Sequence, residues 1–337
     1  MNKELPIKPH DYALAVHEQI YTEFAELMDY PRFFDGFNLP TDSAEYWVSS
    51  LGPDVNGLTH PLVVYDRMVK VIKAEDEASL KSTGEPKFSE LERQDMVSTT
   101  LIHDTGELKK GNLGVGDIPD PAKNDHTNKL ETAITKFSIF RALNILQKTD
   151  YQIQFDEKIL EAGNPDQHEQ LLNAAADFLK KNLSVHVAQQ GEILFDLYKR
   201  IAQDKNSYLG KYFYLAEKTQ YLDTAMKAFS GYHPYPHRAP YLNHPYFIAN
   251  RTLFAGETIQ FHLPFLVTST RDFAYSSHFL SQNQKNINGM ISLVRTDLDP
   301  SQKDFVYQGN YRPSFFSWEK FNPAAKAWQQ WKSKTTF

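Results

Sequence analysis

Apolar side chains recur at helical rather than alternating spacing through most of the first 230 residues. Over 11–30, Ala15, Ile20, Phe24 and Leu27 fall roughly on one stripe, the mark of a helix laid against a core. From His60 a further predicted helix carries Val64, Met68, Val71 and Ile72, with His60 on the same side as Val64. A helix over 89–108 runs through Met96, Val97, Thr100 and Leu101 into His103. The next, over 127–147, has a broad apolar face of Leu130, Ala133, Ile134, Phe137, Phe140 and Leu143. Helices are also predicted over 166–182, over 187–203 (Ile193, Leu194, Leu197, Tyr198 and Ile201 on one stripe) and over 208–229. Between them, 31–57 reads as loop, 75–90 as a charged, exposed excursion, and 109–125 as a turn-rich connection.

After residue 230 the pattern changes. The stretch GYHPYPHRAPYLNHPYF (231–247) is dense in proline, which breaks helices. TIQFHLPFLVTST and GMISLVRTDL then lean towards β-structure, and Trp-bearing segments follow. The expectation is a mainly α protein: a helical domain over 1–230 and a C-terminal irregular or α+β extension over 231–337 packed onto it. His233, His237 and His244 sit among tyrosines that plug a groove or face a partner, with a second metal site as the alternative. Trp318, Trp328 and Trp331 are packing anchors.

Composition narrows the chemistry. The 337 residues suffice for one large or two modest domains. Lys and Arg number 36 against 42 Asp and Glu, a net charge of −6. That argues against broad nucleic-acid binding but leaves room for one basic pocket and a small phosphorylated substrate. There is no cysteine, so disulfides and thiolate metal sites are excluded and any ion must use His, Asp, Glu or water. Without a charged start leading into an apolar core, and without an apolar run of roughly 20 residues, a soluble cytoplasmic protein with no membrane partner is expected. A homo-oligomer is compatible with the sequence.

Residues 101–107, LIHDTGE, place three titratable groups at the end of an apolar run. If the helix continues through them, His103 and Glu107 are four apart and share a face, with Asp104 rotated by about 100°. A neighbouring helix that brings His60 alongside completes a mixed imidazole and carboxylate cage. Such a cage suits a divalent ion, and Mn, Co, Zn, Mg and Fe are not distinguished by it. The ion would make a bound water reactive at neutral pH. Glu107 is placed to orient that water or move its proton.

His60, the distant His103-Asp104 pair, Glu107, then Gly116-Asp117-Ile118-Pro119 with Pro121 and Lys123, then Glu131 near a helix start, together resemble the HD-domain metal-dependent phosphohydrolases. The likeness is nearest to the 5′-deoxynucleotidase-like branch. It covers about 55–147 and 208–229, with about 148–207 as an insertion. The resemblance implies an HD helical bundle with His60, His103 and Asp104 as metal ligands and Glu107 acting on the attacking water. Asp117 would line the pocket near the sugar or the water, and Lys123 would contact phosphate, although both also fit plain loop roles. The last ligand would come from YLAEKTQYLDTAMKA (214–228). There the expected aspartate slot holds Glu217, and Asp223 is the alternative. The implied substrate is a nucleotide or related phosphate ester or anhydride.

Two rivals stand beside this reading. A two-iron version of the scaffold, using His126 with His168 or His186, would activate oxygen. A silent nucleotide-binding or regulatory module would keep the pocket without turnover.

Overall fold

The structure is a computed structural model and describes residues 9–23, 59–106, 121–147, 165–230, 245–298 and 316–335. No strand occurs among them. The helices are α1 (Pro9–Glu23), α2 (His60–Thr83), α3 (Glu90–Ile102), α4 (Pro121–Leu146), α5 (Pro165–Lys181), α6 (Val185–Leu197), α7 (Tyr208–Ser230), α8 (Pro245–Phe261), α9 (Leu263–Ser269), α10 (Ala274–Gln282), α11 (Gln284–Asp297) and α12 (Trp318–Thr335). A π-helical turn, Tyr198–Gln203, continues α6. None of these helices is long and apolar enough to cross a membrane.

The chain divides into two compact units, each discontinuous in sequence. One holds residues 1–27, 89–111 and 116–213. In it α4 lies along α5, and α1 packs on α3 and α4. Phe137, Phe140 and Leu143 of α4 are buried, as are Leu172, Ala176 and Leu179 of α5. The fit of α6 on α4 is close: a Cβ on Gly191 would stand 2.6 Å from Phe140 Cε1. Asn144 Nδ2 donates to the Leu179 carbonyl at 3.0 Å and ties α4 to α5.

The other unit holds residues 28–88, 112–115 and 214–337. Here α8 packs against α11 and α12, and α10 against α2. Its core includes Val64, Met68 and Val71 of α2, Ile287, Met290, Ile291 and Val294 of α11, and Phe321 and Trp328 of α12. Trp328 and Trp331 stack at 5.1 Å, and Trp328 Nε1 donates to Asn288 Oδ1 at 2.9 Å, so both rings are packing groups. Glu75, almost fully buried, accepts from Lys87 Nζ at 3.0 Å and from the Tyr275 amide at 2.9 Å.

Two expectations are corrected. The C-terminal part is helical where it is described, not irregular or α+β. TIQFHLPFLVTST falls in α8 and α9, and GMISLVRTDL in α11. Its apolar positions, read with Ile287, have helical spacing, and burial of that one face outweighs the β-branched content. The charged excursion is also shorter than expected, because α2 runs on to Thr83. It stops at Gly84, whose φ of 82° is the left-handed conformation that closes a helix and that glycine adopts without strain. The stretch 231–244, with its three histidines, lies outside the described residues.

Candidate metal centre

A capping box starts α3. Ser89 Oγ accepts from the Glu92 amide at 3.3 Å, and Glu92 Oε2 accepts from the Ser89 amide at 2.8 Å. The helix stops at Ile102, and His103 is its C-cap. Thr105 turns the chain, donating from both its amide (3.3 Å) and its Oγ1 (2.9 Å) to the Ile102 carbonyl. The expected helix through 108 therefore ends six residues early. The His-Asp pair is presented by a turn, and the shared-face argument linking His103 to Glu107 does not apply.

Gly106 makes that turn fit. A Cβ there would stand 2.6 Å from Glu131 Cγ and 2.7 Å from Thr135 Oγ1 of α4, far inside normal contact. Glu131 in turn accepts from Tyr198 Oη at 3.3 Å. Burial and the Glu131 charge push the Tyr198 phenol well up, so it stays protonated and donates.

The buried His103 ring is fixed from two sides. Its Nδ1 lies 2.8 Å from the Thr100 carbonyl. A carbonyl only accepts, so Nδ1 carries the hydrogen. Phe213 meets the ring edge-on at 5.2 Å. Nε2 then faces Asp104 Oδ1 at 3.0 Å, with the aspartate buried as well. An imidazolium would donate from Nε2 to that carboxylate, and the neutral ring would offer a lone pair towards it. The neutral ring and the carboxylate are two ligands that one cation could bridge. Ligands at about 2.1 Å from an ion stand about 3.0 Å apart at right angles and about 3.4 Å apart tetrahedrally, so the observed separation suits two ligands of one ion. A carbonyl holding the far nitrogen of a metal-binding imidazole is the usual orienting contact.

His60 starts α2 behind Thr59, with Pro61 in the first turn, and is fully buried. Tyr221 of α7 stacks on it at 6.3 Å, and His262 stacks on Tyr221 at 5.0 Å. His60 is thus buried in the second unit, and His103 and Asp104 are buried in the first; all three are side chains of metal-binding type.

The Glu217 carboxylate lies 4.0 Å from Lys218 Nζ. Asp223 is held at 2.7 Å by Arg67 and at 3.3 Å by Lys227. Glu107 and Asp117 lie outside the described residues. Lys123 falls in the first turn of α4, where side chains are not described.

His17 of α1 was not legible as a site residue, because it looks like one histidine on an apolar stripe. Burial holds its imidazole below the ordinary range, the Leu101 carbonyl opposes that, and the charge of His103 adds to the lowering. Only the fold brings it near His103. No family model, curated protein or solved structure matches the chain.

Proposed function

We propose that the protein is a metal-dependent phosphohydrolase of the HD type, acting on a nucleotide or related phosphate ester or anhydride. The observation that carries this reading is the His103 Nε2–Asp104 Oδ1 approach of 3.0 Å in a buried turn whose Nδ1 is committed to a carbonyl. His103, Asp104 and His60 would hold one divalent ion, and Glu217 is the proposed fourth ligand. The ion, when bound, supplies Lewis acidity and a water acidic enough to act at neutral pH.

The chain's own groups divide the remaining work. The Thr100 carbonyl accepts from Nδ1 of His103 and so turns Nε2 towards Asp104. Asp104 contributes a negative charge that offsets part of the cation's. Glu107 would take the proton of the attacking water on its carboxylate. Asp117 would orient the sugar or the water, and Lys123 would meet the phosphate oxygens.

A reading without turnover is favoured by one observation: the Glu217 carboxylate lies beside the Lys218 ammonium. Elemental analysis of the purified protein, combined with phosphate release from a nucleotide panel, separates the two. Hydrolysis lost in Asp104→Asn together with the metal supports the enzyme. Retained metal and full hydrolysis in both His103→Ala and Asp104→Asn would overturn it. Bound metal without any product supports the silent module.

A further inference from the structure

The second unit contains a cavity of about 560 Å³ that His60, His103, Asp104 and Glu217 do not line, although Asp223, the alternative last ligand, does. Its volume is in the range of small-molecule sites, roughly 300–1,000 Å³. One wall is a stripe of α2 with Arg67, Lys70 and Lys73, and α7 adds Lys227. Three carboxylates, Asp66, Glu77 and Asp223, face these four cations. The lining is therefore net cationic in a protein whose overall charge is −6. Tyr275 and Phe279 of α10 supply an aromatic floor.

Arg67 is the organising group. It is only 8% exposed. Nη1 donates to Tyr275 Oη at 3.0 Å, Nη2 meets Asp223 Oδ2 at 2.7 Å, and the guanidinium carbon lies 5.3 Å from the Phe279 ring centre. Nε is buried and has no hydrogen-bond partner among the described residues. A guanidinium locked by an aspartate, a phenol and a ring is pre-organised. An unanswered buried N–H on it is a standing demand for an acceptor. The lysines above it are held differently. Lys70 pairs with Asp66 at 2.5 Å and Lys73 with Glu77 at 3.9 Å, as exposed neighbours one turn apart. Such pairs are weak, so both ammonium groups can turn to an incoming anion at little cost.

We propose that this cavity binds a small organic oxyanion, a phosphate monoester or carboxylate carried on a ring-sized body. The ring would lie on Tyr275 and Phe279, and the oxyanion would be met by Arg67, Lys70 and Lys73. The site uses none of the residues assigned to hydrolysis, so it stands or falls independently of that reading.

The test is fluorine NMR on the full chain at low salt, with non-hydrolysable 4-fluorobenzylphosphonate and, in parallel, 4-fluorobenzoate. Saturable binding at one site per chain is expected, weakened at least fivefold in K70Q/K73Q and unchanged in Asp104→Asn. The double variant alters only exposed groups and keeps the fold. Arg67→Gln, with its helicity checked by circular dichroism, should weaken binding further. Preference for the phosphonate identifies a phosphoryl ligand, and preference for the benzoate a carboxylate. The proposal is overturned if neither probe saturates by about 10 mM, or if K70Q/K73Q binds as tightly as the parent. It is equally overturned if Asp104→Asn, rather than the lysine variant, abolishes binding, which would place the anion at the metal centre.

Discussion

Two buried carboxylates in this molecule are answered in opposite ways. Glu75 is met by donors, the Lys87 ammonium and the Tyr275 amide. Asp104 is met by Nε2 of an imidazole whose Nδ1 is held by a carbonyl. The first arrangement closes on itself and is what a structural polar node looks like. The second pairs two groups of metal-binding type, which a cation could bridge when the imidazole is neutral. Burial alone would have ranked the two equally. The chemistry of the groups that meet them separates them.

The largest expected effect is on turnover. Asp104→Asn removes a charge but keeps the shape, so the proposed hydrolase should lose about 10³-fold or more in kcat/KM, about 4 kcal/mol, together with its metal. Glu75→Asn or Glu75→Leu should leave metal content untouched, and that contrast breaks the comparison if it fails. Glu75→Leu should instead lower the free energy of unfolding in urea by about 3 kcal/mol, because Lys87 and the Tyr275 amide lose a buried acceptor. Gly106→Ala should come next, at about 1–3 kcal/mol. The added methyl would collide with Glu131 and Thr135, and any relief by shifting the turn should also reduce metal retention.

The smallest effect concerns pH. His17 has a folded pKa below its ordinary value of 6.5, so the unfolded chain binds its proton more readily. The stability this contributes is complete above about 6.5 and is lost as pH falls from there through the folded value. In metal-free protein, His17→Leu should flatten that acid-side slope in a series of denaturation curves.

Much of the helical skeleton was legible from periodicity. The expected helices at 166–182 and 208–229 lie within a residue of α5 and α7. The failures have definite causes. α11 carries its apolar groups at Ile287, Met290, Ile291 and Val294, a helical stripe masked by the β-branched content of GMISLVRTDL. α3 ends at Ile102 because Thr105 and Gly106 build a turn against α4, and nothing local in LIHDTGE announces it. His103, Asp104 and His60 were legible as metal-binding types from their chemistry. The Thr100 carbonyl, His17 and Arg67 were not, because their roles depend on neighbours distant in the chain.

By itself the sequence determined the helical class, the absence of thiol chemistry and the short stretch where a cation could be held, since these follow from composition and local spacing. Tertiary structure alone decided which nitrogen of His103 faces a carbonyl and which faces a carboxylate. It also decided where an arginine is locked with one N–H left over. Hydrogen-bond accounting depends on which groups the fold brings within about 3 Å of each other, and sequence spacing does not encode that.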